Sequence, residues 1–165
     1  MNRRAFLGTT FLATAAGILA VRFTGSAPAQ ASESTFEIVK SDDEWRAILS
    51  EAQFQVLRKE DTERPFTSPL NDEKRTGNFH CAGCDLPAYG SYAKYDSGTG
   101  WPSFYEPLKD AVGTREDTSL FMTRVEVHCR RCGGHFGHVF DDGPKPTGMR
   151  HCINGLSLTF KPETA

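Results

Sequence analysis

The chain has no excess of positive charge: 19 Lys and Arg stand against 21 Asp and Glu, for a net charge of −2. A nucleic-acid binder needs a concentrated basic surface, so the balance argues against that class. Long apolar runs are missing too. The most apolar segment, before Val21, extends over roughly a dozen residues against the 18 or more that a membrane-spanning helix needs, and Gly8, Thr9, Thr10, Thr14 and Gly17 dilute it. Hydrophobic residues make up 38% and charged residues 24% of the chain, with a mean hydropathy of −0.45. That is the composition of a globular domain, not of a polytopic membrane protein or a disordered tail. No repeat of 20 to 50 residues and no low-complexity tract interrupts it. At 165 residues there is room for one domain. Cysteine is scarce and odd in number: with five, neither paired disulfides nor one four-thiolate metal site uses them all. One thiol is left over.

What is there begins with an address. Arg3-Arg4-Ala-Phe6-Leu7, the weakly apolar stretch and Ala29-Gln-Ala31 before Ser32 form a tripartite signal peptide. The paired arginines resemble the twin-arginine export signal, whose pathway carries folded proteins across the bacterial inner membrane. The expected division is therefore a signal peptide over 1–31, a linker over 32–37 and one domain over 38–162, with the mature protein in the periplasm. An uncleaved amphipathic anchor is the alternative; no stable membrane anchor is expected. Removal takes away Arg3, Arg4 and Arg22 and no acid, leaving a more acidic mature chain.

Ser41-Asp-Asp-Glu44 before Trp45, Ile48 and Leu49, and Ser50-Glu-Ala-Gln53 before Phe54 and Leu57, are capping boxes, and predict two short successive helices. From about residue 64 Gly and Pro are dense and the alternation has period two. Phe121, Thr123, Val125 and Val127 oppose Met122, Arg124, Glu126 and His128, and Leu156, Leu158 and Phe160 oppose Ser157, Thr159 and Lys161. Those are half-buried antiparallel strands, so the domain is mainly β with a helical N-terminal flap.

Cys81-Ala-Gly-Cys84 and Cys129-Arg-Arg-Cys132 are two Cys-x-x-Cys knuckles separated by 44 residues. Together they supply a tetrahedral thiolate set for zinc, closed to substrate and therefore structural. At this separation the metal joins distant strands instead of forming a self-contained finger. Two disulfides or a redox dithiol are the competing reading, to which an oxidising compartment gives weight. Loading in the cytoplasm before folded export removes most of that objection.

Cys152 is the fifth, in Gly-Met-Arg150-His151-Cys152-Ile-Asn154, at the start of the Leu156–Phe160 strand. A lone Cys is commonly a small buried hydrophobe. Here Arg150 can hold a thiolate and Asn154, two positions on, can supply a hydrogen bond. His135 and His138 offer proton transfer near neutral pH. Three apart in a regular strand, the two rings face opposite sides, so both serve one site only if the strand bulges at Gly137 or a turn intervenes. Trp101, between Gly100 and Pro102, is either a core anchor or a rigid plate for an apolar methyl group.

Taken together, the Trp45 helix, Glu63-Arg-Pro-Phe66, both Cys pairs, Gly100-Trp101-Pro-Ser-Phe104, Gly137-His138-Val-Phe140, Asp142-Gly-Pro and Arg150-x-Cys152-x-Asn154 resemble the methionine sulfoxide reductases of type B, which act on the R epimer. The resemblance spans roughly residues 36 to 161. It implies a β-tent fold of two antiparallel sheets, one structural zinc on Cys81, Cys84, Cys129 and Cys132, and Cys152 as nucleophile. It also implies Trp101 against the substrate methyl, and His135, His138, Arg150 and Asn154 around the sulfoxide oxygen and thiolate. The reaction so implied reduces protein-bound methionine sulfoxide through a cysteine sulfenic acid, in a monomer acting on oxidised exported proteins. Many members carry a resolving cysteine where this chain has Thr99, which implies that an outside thiol, of thioredoxin type or of low molecular weight, reduces Cys152 directly. His151 stands where the family usually has an aromatic residue, and Gly155 where it often has serine. A non-enzymatic zinc-stapled binding module, or a reductase of free or small sulfoxides, are the alternatives.

Overall fold

The computed structural model describes residues 36–119 and 122–164. The signal segment and most of the linker lie outside the described residues, as does Phe121. Among the described residues no helix is long and apolar enough to cross a membrane.

Both expected helices form, α1 over Asp42–Arg46 and α2 over Glu51–Lys59. Each begins at its capping box: the Glu44 amide donates to Ser41 Oγ at 3.3 Å and the Ser41 amide to Glu44 Oε2 at 2.7 Å, and Ser50 and Gln53 repeat the exchange. Helices of five and nine residues do not stand alone in water. Trp45, Phe54 and Leu57 hold them by burying their side chains in the core. Phe36, in the stretch expected to be linker, packs its ring edge-on against His128 at 5.6 Å.

Among the described residues nine strands follow: β1 (Gly77–Cys81), β2 (Pro87–Gly90), β3 (Lys94–Tyr95), β4 (Ser103–Phe104), β5 (Val112–Asp117), β6 (Arg124–Cys129), β7 (His135–Phe140), β8 (Arg150–Ile153) and β9 (Leu158–Pro162). They make two antiparallel sheets, β2-β1-β9 and β3-β4-β8-β7-β6-β5, as expected of a mainly β, two-sheet fold. Aromatic rings join the sheets. Phe104 of β4 stacks on Tyr89 of β2 at 4.4 Å and meets Phe79 of β1 edge-on at 5.0 Å, with Val127, Phe136 and Ile153 of the larger sheet buried in the same core.

The strand reading needs two corrections. Cys152 does not open the Leu156–Phe160 strand: it lies in β8 of the larger sheet, and the chain crosses to β9 of the smaller one through a 3-10 turn over Gly155–Ser157. Leu156 falls in that turn. In β6 the parity is as expected but the burial is not, since Val125 at the end of the strand is exposed and Glu126 is buried. Along β6 the six-stranded sheet thus has an apolar face on the core and a polar face on which Glu126 is buried.

Between β6 and β7 the register shifts. Val127 pairs with Gly137 and His128 with His135, leaving Phe136 as an extra residue. Phe136 fills the core, and β8 leaves Gly137 no room for a side chain: at φ 153° a Cβ there would come within 2.1 Å of the Cys152 carbonyl oxygen. Gly137→Ala is therefore expected to force β7 from β8 and destabilise the protein by about 1–3 kcal/mol. Chemical denaturation reads this, and an unchanged midpoint would refute the close approach.

Candidate functional site

The two Cys-x-x-Cys knuckles are built alike. Each closes a hairpin, β1–β2 or β6–β7, and each repeats the same hydrogen bonds. The first cysteine's amide donates to the carbonyl five residues on (Cys81 to Leu86, Cys129 to Gly134, both 2.8 Å), and its carbonyl accepts from the residue four on, Asp85 at 2.8 Å and Gly133 at 2.9 Å. Asp85 and Gly133 occupy the left-handed region, with φ of 61° and 68°. The matched turns bring four sulfurs within 4.8 Å of one another, with Cys81 and Cys132 Sγ 3.7 Å apart and Cys84 and Cys129 Sγ 3.4 Å apart. Metal–sulfur bonds near 2.3 Å in a tetrahedron place sulfurs roughly 3.8 Å apart, so the donor set fits a metal ion. The cluster staples the two sheets at their hairpin ends.

Cys152 stands outside that cluster, at the centre of one rung of the larger sheet. Successive cross-strand partners are Tyr95, Ser103, Cys152, His138, Glu126 and Arg115. Direct antiparallel partners point to the same face, so the rung lines up a thiol, an imidazole and a carboxylate. Beside it, two positions along each strand, are Arg150, Phe140, Arg124 and Asp117. A cleft of about 130 Å³ opens over Cys152, lined by Trp101, His138, Phe140, Arg124, Asn154 and Thr62 among others.

The bulge meets the condition that the sequence set for the histidines. With Phe136 as the extra residue, His135 and His138 share a face and their rings lie edge to face at 5.5 Å. Their surroundings differ. His138 lines the cleft and pairs through Nε2 with Asp117 Oδ2 at 2.8 Å, and Arg124 binds the same oxygen at 2.7 Å. Burial lowers the His138 pKa against the Asp117 hydrogen bond. The Ser119 hydroxyl and amide, with His138, hold the Asp117 carboxyl well below the usual range. His135 lies behind, 2% exposed, with Nδ1 2.7 Å from Glu126 Oε1 and a buried Nε2 without a hydrogen-bond partner among the described residues. Burial raises the Glu126 carboxyl, but the His135 hydrogen bond and the charges of His135 and Arg115 outweigh it and leave the carboxyl lowered.

Arg150 lies beside the sulfur but faces Asp142, whose two oxygens accept from Nε and an Nη at 2.8 Å each, and its guanidinium covers the Phe140 ring at 4.3 Å. Burial pushes the Cys152 thiol up, and a Thr99 hydrogen bond and the Arg150 charge oppose it without overcoming it. Asp142, paired with the cation expected to hold a thiolate, adds a smaller push in the same direction as burial.

Asn154 is buried just past β8, and its amide is committed to backbone: Oδ1 accepts from the Glu63 amide and Nδ2 donates to the Phe136 carbonyl, both at 3.0 Å. Glu63 fastens the opposite wall. Its carbonyl accepts from Trp101 Nε1 at 3.0 Å, and its carboxylate accepts from the Leu156 amide at 3.1 Å and from the Gly155 amide. Asn154 thus holds the bulge to the segment that orients Trp101. Glu63, Asp117, Arg124 and Glu126 were not singled out from sequence as site residues. The alternation that puts Arg124 and Glu126 on one face was a usable signal; nothing local points to Asp117.

A two-sheet β domain with a four-thiol staple and a separate lone thiol under an aromatic wall is the layout of a thiol-dependent oxidoreductase. Residues 49–162 match the model of the SelR domain. Three relatives, each called peptide methionine sulfoxide reductase MsrB, resemble the chain across most of their own length. The protein of Pseudomonas putida (strain W619) is 56% identical over 128 residues, covering 76% of this chain and 96% of that relative. That of Saccharophagus degradans is 53% identical over 131 residues, 78% and 98%. That of Methanosarcina barkeri is 52% identical over 127 residues, 76% and 89%. The chain belongs to the MsrB family.

His151, the departure from an aromatic residue, points away from Cys152 into the core and meets the Tyr89 hydroxyl through Nδ1 at 3.2 Å. Burial lowers its pKa to about 4, from an ordinary value near 6.5. Between these values the unfolded chain binds a proton that the folded one does not. Its contribution to stability is full above pH 6.5 and is lost as pH falls towards 4. His151→Phe is expected to flatten the fall of the melting temperature across that window, as thermal melts at stepped pH will read. An equally steep fall in the variant would count against it.

Proposed function

We propose that this protein reduces the R epimer of methionine sulfoxide in oxidised proteins, with Cys152 as the nucleophile. The observation that carries the reading is the rung on which Cys152 and His138 are direct cross-strand partners beneath Trp101. Family membership supplies the reaction, and the rung supplies the groups to perform it.

The cleft pairs a thiol raised by burial with an imidazole lowered by burial, shifts that favour the neutral form of each. The thiol proton passes to the imidazole of His138, which Asp117 holds in place, and from there to the sulfoxide oxygen. The Cys152 sulfur attacks the sulfoxide sulfur, forming a sulfur–sulfur bond; the protonated oxygen then passes to the Cys152 sulfur as that bond and the substrate's sulfur–oxygen bond break, leaving a sulfenic acid on Cys152 and releasing methionine. Thiol and sulfoxide become sulfenic acid and thioether, so atoms and electrons balance. Trp101 meets the substrate methyl. The opposite epimer would exchange methyl and oxygen and place the polar atom against the indole.

Thr99 lies 3.7 Å from Cys152 Sγ and has no thiol to give. An external thiol, such as that of a thioredoxin-like protein, attacks the sulfenic acid and releases water, and a second thiol frees Cys152 from the mixed disulfide. Cys152→Ser is expected to abolish reduction of an oxidised peptide with no change in melting temperature, and wild type after one turnover without reductant should gain one oxygen and no internal disulfide, as read by mass. Retained activity in the variant would sink the assignment.

Zinc is the metal proposed for Cys81, Cys84, Cys129 and Cys132. Bound there, it supplies structure and no open coordination position for substrate. Together with the paired arginines near the N-terminus, the fit of this thiol set supports loading with metal in the cytoplasm and folded export to the periplasm, where the protein is proposed to act as a monomer. Native mass spectrometry of the secreted protein should show a monomer beginning at Ser32 with one zinc. A start at Met1, or a metal-free chain with two disulfides, would overturn the respective part.

A further inference from the structure

Three hydroxyls lead away from the reacting sulfur. Thr99 Oγ1 is 3.7 Å from Cys152 Sγ, Ser97 Oγ is 2.8 Å from Thr99 Oγ1, Ser103 Oγ is 2.7 Å from Ser97 Oγ, and Ser103 Oγ is 3.1 Å from the Trp101 carbonyl oxygen. Ser103 is fully buried and is the direct cross-strand partner of Cys152. Each hydroxyl has one proton to give. The Trp101 carbonyl can only accept, so Ser103 donates to it, Ser97 donates to Ser103, and Thr99 donates to Ser97. That leaves the Thr99 oxygen to accept from the thiol. With Cys152 protonated, every proton in the chain has an acceptor.

A thiolate has no proton to give and needs a donor. All three hydroxyls can turn about their C–O bonds: Thr99 then donates to the sulfur, Ser97 to Thr99, and Ser103 to Ser97. Only the bond to the Trp101 carbonyl is lost. We propose that Thr99 is a catalytic residue whose hydroxyl donates to the Cys152 thiolate, and that Ser97 and Ser103 are positioning residues forming a chain that reverses direction as the sulfur ionises. This rests on the assignment of Cys152 as nucleophile, and gives the position of the missing resolving cysteine a role in the first half of the reaction. The charged and titratable groups facing Cys152 are Arg150 on its own strand, His138 from β7, Arg124 from β6, Tyr95 from β3 and Asp142 from the loop after β7. None belongs to the hydroxyl chain, and their contributions stay in place when it is altered.

The two ends of the chain carry opposite signs. Removing the Thr99 hydroxyl takes away the thiolate's donor. Removing the Ser103 hydroxyl takes away the sink that draws the protons from the sulfur, and presets Thr99 as a donor. The test is the pH dependence of Cys152 alkylation by iodoacetamide in the metal-loaded full chain, with the label assigned by peptide mapping. Thr99→Val is expected to raise the midpoint by about one pH unit, a slowing of up to about tenfold at neutral pH. Thr99→Ser should restore the wild-type midpoint, and Ser103→Ala should lower it. An unmoved midpoint in Thr99→Val, or a rise or no change in Ser103→Ala, overturns the proposal. Should Thr99→Val fail to fold, Ser103→Ala alone decides. Because alkylation does not depend on sulfoxide reduction, these shifts in a protein without reductase activity would keep the hydroxyl chain and remove the reductase reading.

Discussion

One extra residue in β7 decides which side chains meet at the cleft. In an unbroken strand His135 and His138 would point to opposite faces, and one imidazole would enter the core. Placing Phe136 out of register turns both rings to the polar face and sends an aromatic ring to the apolar one. The rest of the site depends on that shift. Glu126 finds His135 beside it, Asn154 finds the Phe136 carbonyl, and Gly137 lets β8 come close enough for Cys152 to stand opposite His138. The segment that carries Glu63 and steadies Trp101 is tied to the same bulge through Asn154.

The electrostatics are those of a site at rest. Most of the strong charges are paired away from the sulfur: Arg150 with Asp142, Arg124 with Asp117, and Arg115 with Glu126 and Glu60. Burial then dominates at Cys152 and His138, raising the thiol and lowering the imidazole. A thiol whose pKa is raised is less open to adventitious oxidants than one whose pKa is lowered, since oxidation follows thiolate character.

Much of this architecture was legible where the signal is local. The capping boxes at Ser41 and Ser50, the knuckles and the parity of β6 are short-range patterns, and the elements formed where they fell. Parity alone also separates His151 from Cys152, which explains why a histidine in an aromatic position changes the core and not the cleft. The strand boundary at Cys152 was misplaced because Leu156 continues an alternation that the 3-10 turn interrupts, and that turn is capped by Glu63, some 90 residues away. Asp117 and Glu63 act through contacts across 21 and 91 residues, and one sequence has no pattern at such distances. The Arg150 pairing illustrates the same limit: a basic neighbour was visible, and the acid that offsets it lay eight residues upstream on another segment.

Cys152 occupies an interior strand, hydrogen-bonded on one side to β7 and on the other to β4. Its main chain has no freedom to swing outward between the two halves of a catalytic cycle. For the recycling proposed above, access is the constraint: the reductant must carry its own sulfur down a cleft of about 130 Å³ to a target held within the sheet. A protruding thiol at the tip of a loop, or a thiol on a small molecule, satisfies that geometry, and a thiol recessed in a flat protein surface does not.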